Sequence, residues 1–242
     1  MSAEKKFARG AVWVVAFGWA ITALSVGQLS AQEGAKKVRI GTKVIRAARP
    51  TLPTLNNADF YGPDGKFNEE AAKKAYFDMM EYYNYPVNET IRKNIFVSDM
   101  GLGKFTEVGL AAVVLINEKQ SNYAALEVLL LPNQMIPEHW HVGLPDDGVK
   151  EKLESWVVRY GTTFTYGVGD ATDPIAVKIP DCQKDYITVR HEQQLKPGES
   201  TGVAKAEDKH WQLAGPEGCI LTEIATYHEG KAVRFSDPNV KF

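Results

Sequence analysis

From Ile95 onward the chain breaks into short stretches rich in β-branched and aromatic residues, divided by clusters of Gly, Pro, Asp and Asn. Residues 96–97, 106–116, 123–131, 155–160, 162–166, 186–190, 210–213 and 219–227 read as strands, with turns at 99–103 and 118–122. No helical period intervenes. Many short strands without crossover helices pair antiparallel and close into a sandwich or small barrel. The expected fold is mainly β.

The first part of the chain has a different grammar. Pro50, Pro53, Asn56, Asn57, Pro63 and Gly65 interrupt it repeatedly, after a strand or two within 37–46. Asn68, followed by Glu69 and Glu70, is a helix start, and the helix should run to about Tyr83. Ala72, Ala75, Tyr76, Met79, Met80 and Tyr83 fall on one face of it and read as core packing. Residues 32–94 are therefore expected to be an irregular and helical extension packed on a barrel of residues 95–242.

Residues 1–31 read as an export signal. Lys5, Lys6 and Arg9 precede an uncharged apolar run over 11–26, and small residues lead to Ala31, the expected cleavage point. An uncleaved anchor is the rival, since the run is nearly long enough to span a bilayer. Export implies a periplasmic or secreted protein, in which Cys182 and Cys219 either pair or stay as buried thiols. Asn88-Glu89-Thr90 fits a glycosylation sequon. The formal net charge is -2 with scattered basic residues. That leaves no footprint for nucleic acid and no basic segment for a membrane surface after signal cleavage.

The chemistry concentrates in Pro137-Glu138-His139-Trp140-His141. Histidines at i and i+2 on a strand project to one face. With only five histidines in the chain, the pair is not a general surface habit. Glu154 at the next strand and His210 after Pro197-Gly198 complete a four-donor set suited to a divalent ion. Trp140 and Trp211 point away from their histidine neighbours and read as packing; His191 and His228 read as surface or turn histidines.

This order of His-x-His, Glu, Gly161, then Pro-Gly and His resembles the two motifs of the cupin superfamily. Lys152-Leu153-Glu154 looks like the Lys-x-Glu of its D-lyxose isomerase family, with Lys150 as the competing lysine. The C-terminal Glu223–Gly230 stretch, ending in Val233–Pro238 with its Arg234-Phe235 pair, is similar to the tail of that family and of related sugar-handling cupins. The resemblance implies a jelly-roll (double-stranded β-helix) barrel holding a divalent metal on His139, His141, Glu154 and His210. Manganese is the expected ion, with cobalt, zinc or iron as alternatives. It implies aldose–ketose isomerisation of a small sugar of the lyxose or mannose type through an enediol. Lys152 and Glu223 would be catalytic and Arg234 would orient sugar hydroxyls. A homodimer is expected by analogy. An exported oxygenase or oxidase and a non-catalytic carbohydrate-binding cupin are the alternatives, because one scaffold hosts many activities.

Overall fold

The computed structural model describes residues 51–242. The export signal expected over 1–31 and the strands expected within 37–46 lie outside them. Helix α1 (Glu69–Tyr82) begins where the Asn68 side chain accepts a hydrogen bond from the Ala71 amide. Its stripe of Ala72, Ala75, Tyr76, Met79 and Met80 is buried against Ala111, Val113, Leu129, Leu131 and Ile220 on the outer face of the sheet. The buried Tyr76 hydroxyl would be costly unpaired, and it donates to Gln134 at 2.6 Å. A second, unforeseen helix, α2 (Glu89–Asn94), is capped by Asn88, whose side chain accepts from the Ile91 amide at 2.9 Å. The sequon asparagine thus has a structural use. Among the described residues, no helix is long and apolar enough to cross a membrane.

Nine strands follow: β1 (Ile95–Ser98), β2 (Leu110–Glu118), β3 (Tyr123–Leu130), β4 (Met135–His141), β5 (Glu154–Gly167), β6 (His191–Leu195), β7 (Ser200–Gly202), β8 (His210–Ala225) and β9 (Val233–Phe235). Every strand pairing is antiparallel. β5 and β8 run side by side along most of their length. The first part of β8 pairs with β4 and the last part with β3. One sheet therefore holds β1, β2, β3 and β7, the other β9, β4 and β6, and the two long strands belong to both. This is the jelly-roll barrel. Leu126, Val128, Leu221, Trp156 and Val158 fill its interior.

The sequence divides both long strands in two, at Gly161 and at residues 214–218, whereas each strand continues past its interruption: the ladder shifts register there, with residues 215–218 bulging out, and resumes at Thr163 opposite Ala214. Gly161 sits opposite Cys219 with φ +74°, and a Cβ there would run into the Gly218 carbonyl oxygen. Glycine marks a bend where two backbones approach closely, not a strand end. The strand expected at 186–190 is a further correction. A 3₁₀ turn (Asp181–Tyr186) stands before it, and the Thr188 and Val189 amides donate to the Glu138 carboxylate instead of a neighbouring strand. Both cysteines are free. Cys219 is fully buried in the barrel core and Cys182 half-buried against it, so of the two readings for an exported chain the thiol one holds. Burial pushes the Cys219 thiol up to about 12.

Candidate metal centre

His139 and His141 point from β4 into the barrel, and His139 sits opposite His210 at the start of β8. Glu154 is the first residue of β5. The donor atoms of these four side chains all lie within 4.8 Å of one another. His139 Nδ1 faces the Pro137 carbonyl at 2.8 Å and His210 Nδ1 faces the Asp208 carbonyl at 3.0 Å. A carbonyl only accepts, so each Nδ1 carries the proton and each Nε2 offers its lone pair. The Glu154 Oε1 atom lies 3.1 Å from His141 Nε2 and 3.0 Å from His210 Nε2.

Two of these atoms, His141 Nε2 and Glu154 Oε1, are buried without a properly aligned hydrogen bond. Orphaned polar atoms of this kind are rare in a barrel interior and call for a partner. Three imidazole nitrogens and a carboxylate oxygen converging from three paired strands fit a divalent cation such as manganese, iron, cobalt or zinc. Burial, then the neighbouring His210 and His141, hold His139 well below the ordinary histidine range. That is the neutral state in which an imidazole ligates. Burial alone would raise the Glu154 carboxyl, but Lys152 and the two histidines outweigh it and keep it ionised.

Behind Glu154 lies a buried ion cluster. Lys152 Nζ donates to Glu154 Oε2 at 2.7 Å and to Glu223 Oε1 at 2.5 Å. Burial disfavours the ammonium, yet the charges of Glu223 and Glu154 prevail and raise its pKa. Lys150 is exposed, so of the two lysines it is Lys152 that reaches the interior. The long link from His141 to Lys152 is accommodated by its own small hairpin, in which Leu144 and Val149 pair around a 3₁₀ turn (Pro145–Asp147). The added residues bulge outward and return Lys152 to the interior.

Two expectations need correction. Arg234 is exposed on β9 and donates to the Lys231 and Val233 carbonyls. Its neighbours Val233 and Phe235 line the cavity instead, because alternate residues of a strand face opposite ways. His228 sits in the turn segment after β8, as one of its two readings had it, but not at the surface. It lines the cavity beside His141, with ring centroids 6.0 Å apart, and its Nδ1 is buried without a partner. Its backbone is fixed from β2: the Asn117 side chain donates to the His228 carbonyl and accepts from its amide, both at 2.9 Å. Burial, then the charge on Lys152, pushes His228 down to about 3, so the ring is neutral. Trp211 is buried in a stack on Tyr166 with centroids 3.7 Å apart, and Trp140 lies under the Lys209 ammonium at 4.8 Å. His191 faces the Asp170 carbonyl, away from this cavity.

Glu138, immediately before the two ligand-bearing positions, faces the other way and anchors them. Its carboxylate accepts from Thr188 Oγ1 and Ser236 Oγ, both at 2.6 Å, from the Thr188 and Val189 amides, and from Lys209. Burial alone would raise its pKa, but the Ser236 and Thr188 bonds outweigh it and lower it. A depressed folded pKa contributes stability that is complete above the ordinary carboxylate value and lost as pH falls through the folded one. Glu138→Ala is therefore expected to cost about 3 kcal/mol at neutral pH, since it strands several buried donors of a charged acceptor. Thermal melts from neutral to acidic pH check both parts: the variant melts lower at neutral pH, and the gap from wild type narrows in acid.

No family model matches the chain. Among curated proteins it is 33% identical to the D-lyxose/D-mannose isomerase of Thermosediminibacter oceani over 173 residues, which cover 72% of this chain and 92% of that protein. It is 34% identical to the D-lyxose ketol-isomerase of a Thermofilum species over 173 residues, 72% of this chain and 93% of the relative. It is 35% identical to the D-lyxose ketol-isomerase of Cohnella laeviribosi over 149 residues, 62% and 79% of the two chains. Among solved structures, the L-ribose isomerase of Cellulomonas parahominis superposes with a TM-score of 0.52 at 14% identity, covering 75% of this chain and 95% of that one. The L-ribose isomerase of Acinetobacter sp. DL28 gives 0.51 at 12% identity, covering 71% and 92%. At such low identity these two superpositions speak to the fold.

Proposed function

The chain belongs to the D-lyxose isomerase family, and from that premise we propose that it interconverts a small aldose of the lyxose or mannose type and its ketose. The observation that carries this reading is the Lys152–Glu223 pair beside the four-donor set. Holding a cation needs only His139, His141, Glu154 and His210. A carboxylate and an ammonium meeting at the rim of that set are what proton transfer between adjacent carbons requires.

Isomerisation removes the proton on C2, returns one to C1, and shifts a hydroxyl proton from O2 to O1. Glu223 lines the cavity next to Lys152 and is placed to take the C2 proton and deliver it to C1. Lys152, kept cationic by its two carboxylates, opposes the negative charge that grows on oxygen as the C–H bond breaks. When bound, a divalent cation supplies Lewis-acid charge at the carbonyl and hydroxyl oxygens. Without it the cluster holds one ammonium against two carboxylates, so a divalent ion turns a net negative site positive, as an enediolate needs. His228 offers a neutral ring nitrogen to a sugar hydroxyl. Manganese as the ion, export by the N-terminal segment and pairing of two barrels belong to the same reading.

Manganese-loaded protein incubated with D-lyxose and D-mannose is expected to form D-xylulose and D-fructose, resolved by chromatography. Chelation should abolish the conversion and manganese restore it. Absence of ketose with manganese, cobalt, zinc or iron demonstrably bound would overturn the reading.

A further inference from the structure

The cavity, about 490 Å³ including its open mouth, has two unlike flanks. On one stand His141, His228, Lys152 and Glu223. The other begins at His139, whose ring lies 5.7 Å from that of Phe235. Phe235 is 5.8 Å from Phe242, and Phe242 is 6.3 Å from Phe96. Met100 and Leu126 extend the same wall. Among the described residues lining the cavity, every polar side chain belongs to the metal set, the Lys152–Glu223 pair or His228. Among the described residues, no other side chain in the wall can pair with a hydroxyl.

Resting on the isomerase reading, we propose that this site selects aldoses whose far end is apolar, of the 6-deoxyhexose or 5-deoxypentose class, over their fully hydroxylated counterparts. The reacting carbons must sit at Glu223 and Lys152. The first hydroxyls then have the metal set and His228 within reach. The remaining carbons extend into the part of the cavity walled by Phe235, Phe242, Phe96 and Met100. A terminal hydroxyl buried there gives up water for no partner, whereas a methyl group gains contact with the rings. A site lined this way discriminates against one unpaired hydroxyl by roughly tenfold to a hundredfold. If the rings served only to stack on the carbon backbone, the terminal oxygen would make no difference.

D-Mannose and 6-deoxy-D-mannose differ by that one oxygen. The metal-loaded enzyme is expected to show a kcat/KM about tenfold to a hundredfold higher for the deoxy sugar. Phe242→Asn, at the half-exposed mouth, should narrow the ratio by at least about threefold by supplying a hydrogen-bonding group. Equal values, or a preference for D-mannose, overturn the proposal while leaving the isomerase reading intact. Turnover of neither sugar, nor of D-lyxose, with manganese, cobalt, zinc or iron bound sinks the isomerase reading instead; whenever neither of the two hexoses is turned over, calorimetric titration of both into the manganese-loaded protein decides the preference. Tighter binding of the deoxy sugar supports it; equal binding, weaker binding or none overturns it.

Discussion

His210→Ala is expected to weaken manganese binding by more than a hundredfold and to remove turnover with it. The bound is a lower one: losing only the hydrogen-bond partner of a metal ligand typically costs roughly 10–100-fold, and here a donor itself is lost. His210 faces His139 across the β4–β8 ladder and brings its Nε2 to 3.0 Å from Glu154. Its place is fixed, because Trp156 stacks on its ring at 5.6 Å and β8 pairs with β5 along most of its length. The measurement is metal content by elemental analysis after dialysis against buffered free manganese, alongside a thermal melt to show that the variant folds. The His139→Ala variant should behave alike. Full metal content in both folded variants would mean that the four-residue set is not the binding site.

That set was legible because β geometry projects local spacing into space. His139 and His141 share a face by the two-residue period, and Glu154 opens the next strand in the chain. His210 could be linked to them only by resemblance, since it lies 71 positions after His139 in the chain. What the sequence misassigned follows from the same period. A strand of three residues, β9, carries no phase that a reader can find, so the Arg-Phe pair pointed to Arg234 while the inward positions are Val233 and Phe235. His228 lies beyond the end of β8, where no periodicity applies. Its direction is set by Asn117, 111 positions earlier. The aromatic flank was equally hidden, because Phe96, Phe235 and Phe242 come from distant segments that meet only after closure of the barrel. Glycine at 161 and 218 signals a strand end locally, yet tertiary pairing resumes on the far side of each with a shifted register. Local turn chemistry and long-range pairing compete at such places, and in a barrel the pairing wins.

The Lys152–Glu223 pair separates catalysis from architecture in a way that single-residue kinetics can expose. Glu223→Gln keeps a neutral acceptor for the Lys152 ammonium and touches none of the four donors, so metal content should stay at the wild-type level. Turnover should fall by about 10²–10⁴, the usual worth of a positioned acid–base group. Lys152→Met is a different experiment. The side chain is only 4% exposed and bridges two carboxylates, so its removal leaves both without their cation. Breaking a buried pair from one side costs about 3–5 kcal/mol, which for a domain of this size lowers Tm by roughly 10 °C. The divalent ion offsets part of that loss by neutralising Glu154, so the drop in Tm should be larger in chelator than in manganese. Activity should be lost in both conditions, because Glu223 then has no fixed partner and the developing oxyanion no ammonium. A Lys152→Met protein that melts as wild type, or a Glu223→Gln protein that keeps full turnover, would remove the pair from the mechanism and leave the cluster as a structural ion pair behind a metal site.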